Sequence, residues 1–300
     1  MLQLKLIALY SYICDVYDTE LRWHCQRFSP NGNEGLFTDQ ELLSGYLFAL
    51  MEGQKPQVKS IWKFLHDYWH DWFPSLPSYV GFNRRLNRLA PVLNHLVIHI
   101  VSDMRALDPH NTQDISVIDS FPIMTCSGKR RAKVAPQLTD KGYCATKSMH
   151  YYGLKLHFMG FHRPGGLPFP EYMKVSPASR HDLSAMREEI SQIKQRAIFA
   201  DKIYADQKLQ QHLNNQGSHL YTPVKLVKGQ SQWERQFNAA ADKLFSTAVS
   251  RIRQPVEAIF NWLEQKVELQ NASKVRSTKG LIVHTFGKLA AAFLFLIFNC

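Results

Sequence analysis

Two short apolar runs that each end in an aspartate constrain this chain most: Val117-Ile118-Asp119 and Ala197-Ile198-Phe199-Ala200-Asp201. Runs rich in β-branched and aromatic residues favour buried strand, and an acid closing such a run is carried to the mouth of the strand. Pro122 has no N–H to give a ladder, so the first strand is expected to stop at Ser120. A third acid, Glu257, follows Pro255 in the opening turn of an amphipathic pattern through Val256, Phe260, Leu263 and Val267. Three converging carboxylates repel and raise one another's pKa unless a cation neutralises them, and hard oxygen donors suit Mg²⁺ or Mn²⁺. Glu257 also has a structural reading, as a helix N-terminal acid that favours the dipole.

Beyond Asp114 the pattern reads as strands Ile115–Ser120, Tyr151–Gly160 and Glu171–Ser176, a helix Leu183–Gln195, a strand Ile198–Ala200, a helix Gln207–Asn214 and a strand Leu220–Val224. Two helical patterns close the chain, the second through Leu281–Phe298. This order predicts an α/β fold: a ribonuclease-H-like mixed sheet with flanking helices, its acids ending strands one and four and lying on a late helix.

The preceding stretch reads as a smaller all-helical domain, residues 1–110, ahead of a catalytic domain at 111–300. Leu2, Leu6, Leu9, Ile13 and Val16 form one seam, and Thr38-Asp39-Gln40-Glu41 is a capping box before Leu42, Leu43, Tyr46, Leu47 and Leu50. Another helix buries Val58, Ile61, Trp62, Leu65 and Trp69. After Phe73-Pro74-Ser75-Leu76-Pro77, Ser78 caps a helix with Tyr79, Phe82, Leu86, Leu89 and Leu93 inward and Arg84, Arg85 and Arg88 largely outward. A basic helix after two short ones is similar to a helix-turn-helix reader, and suits DNA contact or dimerisation.

A net charge of +11 implies an acidic partner such as nucleic acid. Lys129, Arg130, Arg131 and Lys133, in a polar stretch soon after Asp119, are suited to DNA phosphates. Trp233 could stack on a base or fill a core, and Asp206 is the nearest competitor of Asp201. The five cysteines show no Cys-x-x-Cys pair, so neither a disulfide scaffold nor a zinc site is expected, and His66 and His70 read as a wet helix face. The seam near Met1 is not a leader pattern, and Leu289–Phe298 offers only about ten apolar residues where a membrane span needs ~20. A cytoplasmic protein with no membrane partner is expected.

The ordered set Asp119-Ser120-Phe121-Pro122, Lys141-Gly142-Tyr143-Cys144-Ala145-Thr146-Lys147, Tyr152-Gly153-Leu154-Lys155-Leu156-His157, Ala200-Asp201-Lys202-Ile203-Tyr204 and Arg253-x-x-x-Glu257 resembles the DDE transposases of bacterial insertion sequences, more narrowly the IS nine-eighty-two group. The resemblance spans about residues 35 to 298. It implies Asp119, Asp201 and Glu257 as a catalytic triad holding two Mg²⁺ or Mn²⁺ ions. The reaction implied is nicking of the element's ends and transfer of their 3′-hydroxyls to target DNA, with no covalent enzyme intermediate. Double-stranded DNA is the implied partner, a homodimer or higher oligomer the implied synaptic state, and the nucleoid the implied place. Arg253, Lys155 and Lys202 join the phosphate-contact candidates. Ser250 and Glu264 stand where some related transposases carry Tyr and Lys, so their grip on the transposon end is not implied. A plain nuclease of the same fold, or a silent DNA-binding derivative, would share most of these residues.

Overall fold

The computed structural model describes residues 2–25, 36–107, 114–130, 134–225 and 232–298. Its sheet is built outward from β1 (Ile115–Ser127). On one edge β1 pairs antiparallel with β3 (Met149–Phe161); on the other it pairs in parallel with β5 (Ala197–Ala200), from Ile115 to Ile118. β6 (His219–Tyr221) extends β5 in parallel. The far edge of β3 is shared by β2 (Asp140–Cys144) and β4 (Phe169–Pro177), which completes six strands. This mixed sheet with flanking helices is consistent with the ribonuclease-H-like α/β class.

Two strand expectations are corrected. β1 does not stop before Pro122 but runs on to Ser127. Met124 N–H donates to the Gln270 carbonyl at 2.7 Å, on the edge away from β3. Backbone groups two residues apart point the same way, so the Pro122 nitrogen faces that edge too, where β5 has already ended and no ladder donor is required. β2 was not foreseen, because Asp140, Lys141 and Gly142 have low strand propensity and are held by pairing with β3. Gly153, in both pairings, leaves no room for a side chain: a Cβ there would stand 1.9 Å from the Ile123 carbonyl oxygen.

Both faces of the sheet are covered. α6 (Asp182–Ser191) and α7 (Gln207–Asn215) pack Leu183, Met186, Ile190, Leu209 and Leu213 against Ile118, Ile198 and Leu220. The opposite face meets α8 (Gln232–Arg253) and α9 (Pro255–Val267), with Phe260 seated 5.1 Å from Phe121 and 6.0 Å from Phe158 between ring centroids. α8 was not foreseen although Trp233, Phe237, Leu244, Phe245 and Val249 recur at helical spacing; most of that face stays exposed, and among its described side chains only Val249 is buried.

The helical half comprises α1 (Leu2–Thr19), α2 (Asp39–Met51), α3 (Val58–Tyr68), α4 (Tyr79–Arg88) and α5 (Ala90–Leu107). The Thr38/Glu41 capping box is present. The expected third helix divides at Leu89, whose ψ of 6° breaks α4 from the unforeseen α5.

α10 (Thr278–Ile282), a π-helical turn (Val283–Gly287) and α11 (Lys288–Phe298) form one helix of 21 residues, three more than the expected Leu281–Phe298, and its apolar window extends beyond the run Leu289–Phe298. It is long and apolar enough to cross a membrane by composition, yet 61% of its apolar window is buried within the fold. It packs against α2, α5 and α9, and a Cβ on Gly287 would lie 2.6 Å from the Tyr46 hydroxyl. The helical half and the sheet thus share one core from Leu6 to Leu294. The expected division at residue 110 falls outside the described residues.

Candidate active site

The last β1–β5 pair is Ile118 with Ala200, so Asp119 and Asp201 leave neighbouring parallel strands side by side. Asp119 is therefore within β1 rather than at its end; the opening beside it exists because β5 stops. The two carboxylates are held alike. Asp119 Oδ1 accepts the Ser120 N–H at 2.8 Å, and Asp201 Oδ1 accepts the Lys202 N–H at 2.8 Å while capping the 3₁₀ turn Lys202–Tyr204. Asp201 Oδ2 has no partner among the described residues, and Asp119 Oδ2 accepts from Arg253 Nη1.

Arg253 ends α8 and Pro255 opens α9, but Gln254 between them keeps helical angles (φ −49°, ψ −37°). Arg253 and Glu257 thus stay on one face, and Nη2 donates to Glu257 Oε1 at 2.7 Å. The guanidinium bridges Asp119 to Glu257. The Asp119 side chain is 23% exposed and that of Glu257 57%. Burial pushes Asp119 up to about 6; Arg253 and the Ser120 N–H oppose that rise, and Asp201 and Asp182 add to it.

Behind Ser120, on the other face of the sheet, Lys155 Nζ lies 3.0 Å and His157 Nδ1 3.5 Å from Asp182 Oδ1 at the start of α6. His157 Nε2 is 2.8 Å from Ser176 Oγ, and burial pulls the imidazole down to about 4 against the opposing charge of Asp182. Tyr204 presents a buried hydroxyl with no hydrogen-bond partner among the described residues, raised well above its ordinary value by burial and then by Asp182, Asp119 and Asp201. Sequence reasoning gave Asp182 and Tyr204 no role. The available signal was their place in the short segments after β4 and after Asp201.

The three carboxylates suit a hard divalent cation by donor type, since all are oxygen. Arg253 Nε and Tyr204 Oη are buried without partners nearby, polar atoms that water or a ligand could meet. The carboxylates do not meet as a ligand set while Arg253 stands between Asp119 and Glu257. By donor type the residues fit the cation, provided that Arg253 is displaced.

The basic candidates separate. Lys129 and Arg130 are exposed in the turn after β1, but the strand's length puts them roughly 25 Å beyond Asp119, so they are not beside the carboxylates as expected. Arg131 and Lys133 lie outside the described residues. Lys202 is exposed next to Asp201, whereas Lys155 is tied to Asp182 and donates to the Arg180 carbonyl at 3.2 Å. Arg84 and Arg88 are exposed on α4, but Arg85 turns inward, donating to the Phe37 carbonyl and, at 2.7 Å, to Asp39 Oδ1. Trp233 is 68% exposed and stacks on Phe237, not in a core. Asp206 caps α7 through the Leu209 N–H at 2.8 Å and pairs with Arg187, and Glu264 accepts from the Gln270 N–H at 2.7 Å.

A family model described as a transposase DDE domain matches residues 110–278, more than half of the chain. No curated protein and no solved structure matches significantly.

Proposed function

The chain belongs to the transposase DDE-domain family, and we propose from that premise that it nicks the ends of an insertion sequence and joins the freed 3′-hydroxyls to target DNA, with Asp119, Asp201 and Glu257 as its catalytic carboxylates. The observation that best supports this reading is the β1–β5 register, which brings two aspartates far apart in sequence to one opening. Two Mg²⁺ or Mn²⁺ ions held there would supply an activated water or 3′-hydroxyl and stabilise the leaving oxygen.

Asp119 and Asp201 act as fixed ligands, each oriented by the following N–H, and Glu257 as the adjustable one. Arg253 provides positive charge between Asp119 and Glu257. Turning toward a DNA phosphate would free both carboxylates, and its planar fork suits bidentate phosphate contact. Lys202, Arg84, Arg88 and the Lys129–Arg130 turn extend phosphate contact along double-stranded DNA, which makes binding fall steeply with salt. Synapsis of two element ends calls for at least a homodimer. The long C-terminal helix serves the core, in keeping with a cytoplasmic, nucleoid-associated protein.

The test is joining of a labelled element end to a plasmid with Mg²⁺ or Mn²⁺, comparing the native chain with Asp119→Asn. Joined product from the native chain alone supports the reading. Cutting without joining identifies a plain nuclease, and DNA binding without any cutting a silent DNA-binding derivative; either result overturns it.

A further inference from the structure

We propose that the helical half carries a separate site for a borderline transition ion such as Zn²⁺, formed by Glu20, His24 and His95. Glu20 follows α1, His24 closes the 3₁₀ turn Leu21–His24, and His95 lies in α5. One ligand atom from each lies within 4.8 Å of the others, and among the described residues this is the one group of three or more potential ligands that meets so closely. The His24 and His95 rings stack with centroids 3.5 Å apart and planes 13° from parallel. All three residues are half-buried, reachable from solvent yet held by the fold.

The surroundings orient the carboxylate. His99, one turn beyond His95, has Nδ1 2.9 Å from Glu20 Oε2 and Nε2 3.5 Å from Asp103 Oδ2; Tyr12 donates its hydroxyl to the same Asp103 oxygen at 2.6 Å. A relay of this kind behind a ligand fixes its direction. Two imidazole nitrogens and one carboxylate oxygen form a donor set that zinc takes with a fourth position left to water. The set is softer than the oxygen-only carboxylates at the sheet, so the two sites differ in ion preference. At ~2.0–2.1 Å bond lengths, tetrahedral ligand atoms stand roughly 3.3 Å apart, so the three need to close by about 1.5 Å at most, and the two nearly parallel imidazoles must rotate out of their stack to aim both in-plane lone pairs at one ion. A bound ion would pin the 3₁₀ turn to α5, and the proposal stands independently of the transposition chemistry.

The full-length chain, stripped with chelator and dialysed, is titrated with Co²⁺ as a spectroscopic probe and then with Zn²⁺. The expected result is a visible absorption band of nitrogen-ligated cobalt, saturating at one ion per chain and displaced by zinc. A zinc concentration a hundredfold above Kd should raise the melting midpoint by about 5 °C. Both signals should persist in Asp119→Asn and disappear in His95→Ala and in His24→Gln, the latter on a short turn where the fold is least at risk; circular dichroism verifies that each variant is folded. Absence of the band in the native chain, its survival in either folded histidine variant, or its loss in Asp119→Asn would overturn the proposal.

Discussion

The aspartates and the glutamate of the candidate active site are positioned by different means. Asp119 lies in β1 and Asp201 directly after β5, so the pairing of these strands sets their spacing, and slipping that register by one residue would turn every neighbouring side chain to the opposite face. Glu257 depends on a helix junction, on Phe260 one turn later and on a side chain that is 57% exposed. The sheet thus supplies a rigid pair and the helix an adjustable arm. The rigid pair should tolerate no change of length, and the arm some.

The largest expected effect tests that contrast directly. Asp119→Glu should lower the rate of element-end nicking by about 10³-fold, a loss of several kcal/mol, while Glu257→Asp should lower it by roughly 10- to 30-fold. Equal losses in single-turnover rates would erase the distinction. Next, Phe260→Ala removes the ring that seats α9 on Phe121 and Phe158 and should cost about 3 kcal/mol in denaturant unfolding. It should also reduce nicking per folded molecule.

The third effect concerns the rigid pair alone. Asp119 has a folded pKa of about 6, above its unfolded value, so the native chain binds more protons between roughly pH 4 and 6 and loses stability as pH rises through that window. Asp119→Asn should therefore be more stable than the native chain by about 2 kcal/mol at pH 7, with the advantage vanishing below about pH 4. Denaturant melts across pH check the sign. The smallest effect comes from Arg253→Gln, which removes the charge opposing the burial shift of Asp119. The acidic limb of the nicking pH profile should move upward and the salt dependence of DNA binding should weaken.

Much of this was legible in the sequence. The apolar runs ending at Asp119 and Asp201 carry strand propensity and a terminal acid in a few residues, and Pro255 marks the helix bearing Glu257. The rest depended on non-local contacts. Pro122 argued for a strand end because sequence does not reveal which edge its nitrogen faces. α8 spaces Trp233, Phe237, Leu244 and Phe245 as a helix does but leaves them exposed, with no core to mark them, and β2 offered no propensity. Arg85 looked like an outward cation until folding set Asp39 beside it. The helical half also hid a smaller signal: His95 and His99 share the helical spacing that drew attention to His66 and His70, but Glu20 lies 79 residues before His99.

On the proposed reading, Asp119 and Asp201 serve one cation-dependent site. The most direct test is nicking of a supercoiled plasmid carrying the terminal repeats, with Mg²⁺ or Mn²⁺, by the native chain, Asp119→Asn and Asp201→Asn. The native chain should nick at the repeat ends and both variants should not, with all three still binding the DNA. Nicking that survives in either variant would contradict it.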